Sequence, residues 1–125
     1  LVENTQKSFE VPAEWKGRYY PSFIPEGYEV VKVNNSFDAT HHIAFMNSKG
    51  VLLHFFENTA DTNSNIDTEG SQVKTVFVRG YSGLLSQKNG ESILAWSADE
   101  RYFVLILMGD EDLTLQVAES LRLIR

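Results

Sequence analysis

The chain has 125 residues, 42% apolar, 12% aromatic and 22% charged, which suits one globular domain rather than two. Seventeen acidic against eleven basic residues leave a net charge of −6 with no basic cluster, which argues against binding phosphate backbones or anionic lipid. Cysteine is absent, so disulfide scaffolds, thiolate zinc sites and thiol nucleophiles are excluded.

No apolar run approaches the roughly 18 residues of a membrane-spanning helix. Residues 1–18 read as an N-terminal arm or short helix that packs through Trp15, ahead of a single domain over 19–125. The opening at Leu1, without Met, fits an export signal or anchor upstream. Pro21 and Pro25 fix φ and remove two backbone donors, so residues 19–27 cannot lie within a central sheet. Period-two alternation then marks a short strand over Tyr28–Val33, with Asn34-Asn35-Ser36 expected to end it as a turn.

His41–Met46 and Val51–Phe56 are two apolar runs joined by Asn47-Ser48-Lys49-Gly50, the pattern of a hairpin. Residues 58–71 form a long polar loop with Ile66 as its one large aliphatic residue. Val73–Arg79 alternates again. Gly80-Tyr81-Ser82-Gly83 is expected to bulge or kink the chain before Leu84–Gln87. Asn89-Gly90 is a strong two-residue hairpin turn, and Ala98-Asp99-Glu100 predicts another. Between them lies a strand over Ser92–Ser97. Tyr102–Leu107 is apolar at every position and reads as the central strand.

Asp110 is placed to cap a C-terminal helix, with Glu111 and Asp112 in its first turn. The stripe Leu113, Val117, Leu121, Ile124 predicts that this helix continues to the end, with Arg122 and Arg125 in its last turn. The fold class that follows is α+β: an antiparallel sheet of six to seven hairpin-linked strands covered by a C-terminal amphipathic helix.

Candidate chemistry is sparse. His41 and His42 point to opposite faces of a strand and cannot ligate one ion together, whereas His54 can join one of them across the hairpin. Residues 61–70 are rich in oxygen ligands but lack the order of a calcium loop. Gly80-Tyr81-Ser82-Gly83 fails as a nucleophile elbow, because position 84 is Leu84. Carboxylate pairs at Asp99-Glu100 and Asp110-Glu111-Asp112 are explained by a turn and a helix cap. Trp15, Tyr19, Tyr20 and Trp96 are the aromatics assigned to an exposed partner-binding surface.

The segment Trp15-Lys16-Gly17-x-Tyr19-Tyr20-Pro21-x-Phe23-Ile24-Pro25-Glu26-Gly27-Tyr28 resembles the opening of the bacterial family catalogued as domain of unknown function 4367. Asn65-Ile66-Asp67-Thr68-Glu69, Gly80-x-x-Gly83-x-Leu85 leading to Leu94-x-Trp96, and Ala118-Glu119-Ser120-Leu121 agree in the same order. The resemblance implies an extracytoplasmic module of Firmicutes behind an N-terminal membrane anchor, in proteins like anti-sigma factors. It brings no catalytic residues and no cofactor.

The leading expectation is therefore a non-enzymatic interaction or sensory domain with a protein or cell-envelope partner. Nucleic acid is not expected as a partner, and the membrane is reached only through an anchor outside this sequence. The alternative is a small-ligand or metal-binding module using His42, His54 and acidic residues of the 61–70 loop.

Overall fold

The structure is a computed structural model that describes residues 10–36, 39–59 and 72–124. Among these the elements are β1 (Tyr19–Pro21), β2 (Glu29–Ser36), β3 (Thr40–Met46), β4 (Leu52–Asn58) and β5 (Gln72–Val78). There follow β6 (Tyr81–Lys88), β7 (Glu91–Ala98), β8 (Arg101–Met108), α1 (Glu111–Ala118) and β9 (Leu121–Leu123). Seven strands form one sheet in the order β2-β3-β4-β8-β7-β6-β5, and β1 pairs with β9 in a separate ribbon. Every pairing is antiparallel. The fold is α+β, as the hairpin pattern predicts.

The uniformly apolar run becomes β8, fourth of the seven strands. Phe103, Leu105 and Leu107 point to an inner face and are buried, while Val104 and Ile106 on the outer face are half-buried between their neighbours. The same alternation sends Ile43, Phe45, Leu53, Phe55, Leu94 and Trp96 inward. The inner face is closed by the β1–β9 ribbon, by α1 and by Trp15, which is 0% exposed. The arm does pack through Trp15; residues 1–9 lie outside the described part.

Three expectations are corrected. Asn34, Asn35 and Ser36 do not end β2 but continue it alongside β3. Asn35 can stay in the strand because its amide has partners there: Oδ1 lies 2.6 Å from His41 Nδ1, and Nδ2 donates to the Glu14 carbonyl at 2.9 Å. Gly80-Tyr81-Ser82-Gly83 is not a bulge, since Arg79 and Gly80 make a tight turn and β6 runs unbroken from Tyr81. Gly83 serves close approach instead, because a Cβ there would lie 2.9 Å from both the Ala95 carbonyl oxygen and Trp96 Cβ.

The third correction concerns the C-terminus. Asp110 caps α1 by accepting the Leu113 N–H at 2.9 Å, but the helix ends at Ala118. Ser120 donates to the Val117 carbonyl at 2.6 Å and accepts the Phe23 N–H at 3.0 Å, so the chain turns away and β9 pairs with β1. Leu121 is buried, yet from a strand, and Ile124 and Arg122 are not on a helix. Hydrophobic spacing of three to four residues does not reveal where a helix gives way to a strand that buries the same side. Arg125 lies outside the described residues.

The hairpins β5–β6, β6–β7 and β7–β8 each turn on two residues of positive φ: Arg79 and Gly80, Asn89 and Gly90, Asp99 and Glu100. That is the primed turn whose twist matches the strands it joins. Glu100, at φ 64°, occupies a position that glycine would hold without steric conflict. Glu100→Gly should raise stability by about 0.5–1 kcal/mol, the relief of left-handed strain exceeding the added entropy of the unfolded chain. Urea denaturation measures this, and a loss of stability would show that the Glu100 side chain contributes more than its backbone conformation takes away.

Candidate functional site

Glu57 is the one carboxylate of the described residues that is fully buried, at 0% exposure. It lies on the inner face of β4, where alternation with Phe55 would otherwise place another apolar side chain. Its oxygens accept the backbone N–H groups of Arg18 and Tyr19, each at 3.0 Å, and Arg101 Nη1 lies 3.1 Å away. Trp15 Nε1 donates to the Tyr19 carbonyl at 2.9 Å. Gly17 sits between them: a Cβ there would come 2.5 Å from the Trp15 ring and 2.7 Å from Glu57 Oε1. A buried carboxylate is stabilised only when paired and hydrogen-bonded, and here the arm supplies the hydrogen bonds.

This clamp fixes β1, and β1 fixes β9. Between β9 and the ends of the β5–β6 and β7–β8 hairpins lies a groove of about 430 Å³. Its floor is apolar, formed by Val78, Trp96, Phe103, Ala118 and Leu121. Trp96 and Phe103 stack at 5.2 Å, and Tyr19 meets Phe103 edge-on at 5.4 Å. The rim is polar. Asp99 accepts the hydroxyls of Tyr19 at 2.9 Å and Tyr81 at 3.3 Å, and Arg79 Nη1 donates to the Leu121 carbonyl at 3.0 Å. Burial, followed by the Asp99 carboxylate that its hydroxyl donates to, raises the Tyr19 pKa.

The four aromatics assigned to an exposed surface do not form one. Trp15 is 0% exposed, and Tyr20 and Trp96 are each 4% exposed. Tyr20 lies so deep that burial pushes its pKa up to about 12. They are held inside because the ribbon they belong to covers the sheet. Tyr19 and Trp96 nevertheless line the groove. Arg79, Tyr81, Asp99 and Leu123 complete it and were not legible as a set, since Tyr19 and Asp99 stand 80 positions apart. The one local signal is a charged residue at the first position of each of two hairpin turns.

His42 and His54 do meet, on the outer face, with Nε2 of the first 2.9 Å from Nδ1 of the second. Their rings stack, and His42 also stacks on Phe56 at 4.3 Å and 6°. His41 points the opposite way, into the contact with Asn35 and Trp15. Among the described residues no three metal-ligating side chains cluster, and the acidic residues 61, 67 and 69 lie outside them. Ser82 is exposed on β6.

Burial lowers both histidine pKa values. For His42 the effect of His54 comes next and then that of Lys32; for His54, Glu91 opposes the depression and Lys32 adds to it. A folded-state pKa below the unfolded value means that the unfolded chain binds protons first. Stability from this pair is thus present above about pH 6.5 and declines as pH falls toward the depressed folded values. The melting temperature should fall more between pH 7 and 5 than in the double variant His42→Phe/His54→Phe. Equal slopes for the two proteins would show that the pair takes up its protons at the same pH folded and unfolded.

For the clamp, Glu57→Gln should destabilise by about 3 kcal/mol, because it leaves Arg101 uncompensated and one N–H facing a donor. Equilibrium unfolding in urea measures the loss, and a change below about 1 kcal/mol would mean that the arm is held by Trp15 packing alone.

No curated protein matches the chain in sequence. A family model, domain of unknown function DUF4367, matches residues 18–121, from the arm residue bonded to Glu57 through the first residue of β9. With β1, the seven-stranded sheet and the helix all within that match, the chain belongs to the DUF4367 family.

Proposed function

We propose that this domain is a non-enzymatic interaction or sensory module, held outside the cytoplasmic membrane by an anchor elsewhere in its protein, and that it binds a protein or cell-envelope partner through the groove beside β9. The observation that carries this reading is the groove itself. An apolar floor of Trp96, Phe103 and Val78 under a rim of one carboxylate, one guanidinium and two phenols is the composition of a recognition site.

The rim groups are engaged in holding each other: Asp99 is fixed by two hydroxyls and Arg79 by a carbonyl. Groups fixed in this way are held ready to orient a ligand. The extracytoplasmic placement rests only on the context that the resemblance to the family implies.

A photo-crosslinking amino acid at Leu123 or Ala98 of the intact protein in living cells tests the reading. The expected result is one discrete adduct at both positions, on the outer side of the membrane, and none from Lys49 in the distant β3–β4 turn. The reading fails if the groove positions give no adduct, or the same adducts as Lys49.

A further inference from the structure

We infer that the occupant of the groove is an extended peptide that adds as a strand to the outer edge of β9; this rests on the reading of the groove as a recognition site. The ribbon's rungs are the Ser22 N–H to the Ser120 carbonyl at 2.9 Å and the Ile124 N–H to the Arg18 carbonyl at 2.7 Å. Antiparallel alternation then turns the N–H and C=O of Tyr19, Pro21, Leu121 and Leu123 outward, away from the ribbon's centre.

On the β1 side those groups are already used. The Tyr19 N–H goes to Glu57, its carbonyl accepts Trp15 Nε1, and Pro21 has no N–H. On the β9 side the Leu121 carbonyl accepts Arg79, while the N–H and C=O of Leu123 have no partner among the described residues. Leu123 is 58% exposed.

The sheet's own edges are protected in other ways. A register shift between Val30 and Lys32 breaks β2, and β5 turns Lys74 inward to pair with Glu111 at 2.8 Å. The edge of β9 thus carries unused backbone groups immediately beside an apolar depression, the arrangement that strand addition exploits.

For a guest running antiparallel to β9, like every strand pairing described in this fold, the charges set the sequence. Arg79 stands at the Leu121 end, and Asp99 stands at the Leu123 end, held by the Tyr19 that pairs with Leu123. A peptide running antiparallel to β9 enters at Asp99 and leaves at Arg79. Side chains two apart share a face. The complementary segment therefore has a basic residue, then an apolar one opposite Leu123 over the groove, then an acidic one, at alternate positions.

The test is a titration of the isotope-labelled 125-residue chain, followed by NMR, with an acetylated, amidated seven-residue peptide. The peptide has a central leucine, a lysine two residues before it, a glutamate two residues after it and threonine elsewhere. The Leu123 amide and the Arg79 and Trp96 signals should shift together, and Leu123 amide exchange should slow. Interchanging lysine and glutamate should weaken binding about tenfold, and Arg79→Glu, read with its amide spectrum as a folding control, should narrow or reverse that preference.

Absence of shifts at Leu123 up to millimolar peptide overturns the inference, as does equal binding of the two peptides or shifts confined to His42 and Phe56 on the outer face. A discrete crosslink at Leu123 or Ala98 in cells with no such peptide binding would remove strand addition and leave the groove as the binding site.

Discussion

The arrangement of this domain depends on placing a carboxylate where no water reaches. Glu57 interrupts the apolar side of β4, and alone it would carry a desolvation penalty of several kcal/mol. Two backbone N–H groups from the arm and the Arg101 guanidinium remove that penalty. The dependence runs both ways. Residues 15–21 contain three aromatics, a glycine and a proline and have no helical or strand pattern of their own, so their conformation is set by what Glu57 and the Trp15 indole accept and donate. Once β1 is fixed, its inner edge recruits β9, and the helix must stop early enough to let β9 form.

The two faces of the sheet solve different problems. Inside, large side chains meet across strands and are sealed by Trp15, Val117 and Leu121. Outside, the row His42, Phe56, Val104, Ala95, Leu84 runs across five strands and is also apolar, with Leu84 exposed. His42 belongs to this row, and His54 lies beside it on the same face, in register with Ala44 and Ile106. In the neutral pair one imidazole donates to the other at 2.9 Å, and uptake of two protons would remove the acceptor and place two positive charges beside Lys32. The pair is a polar insertion in an apolar surface, where burial favours its neutral form.

What could be read in the sequence was whatever is decided within a few residues. Asn89-Gly90 dictates its turn, Asp110 its cap, and the Asn47–Gly50 link brings His42 beside His54 because hairpin register is set locally. The unbroken apolarity of residues 102–107 identifies the middle strand for the same reason. What escaped was decided at long range. Leu121 keeps helical spacing from Val117 yet belongs to a strand, because its partner is Pro21, 100 positions earlier in register. The four aromatics looked like surface because nothing near Trp15 in sequence announces that Glu57 will pull the arm across the sheet. Asp99 and Tyr19 become a site only after that has happened.

The groove's polar rim follows from turn geometry. Arg79 and Asp99 each occupy the first position of a two-residue hairpin turn, at φ 51° and 54°, and the two turns close the same end of the sheet. In that conformation a residue other than glycine pays for its place in steric strain. Asparagine fills the equivalent position in the turn at the other end, where it is the ordinary choice. Aspartate tolerates the left-handed region, but arginine has no such local excuse. What arginine gains there is reach, because its guanidinium crosses to the Leu121 carbonyl on β9. A twisted sheet with primed turns thus presents one cation and one anion on opposite sides of a depression whose floor is aromatic. The strain at Arg79 is explained by the position of its charge, since the turn itself would be served as well by asparagine or glycine.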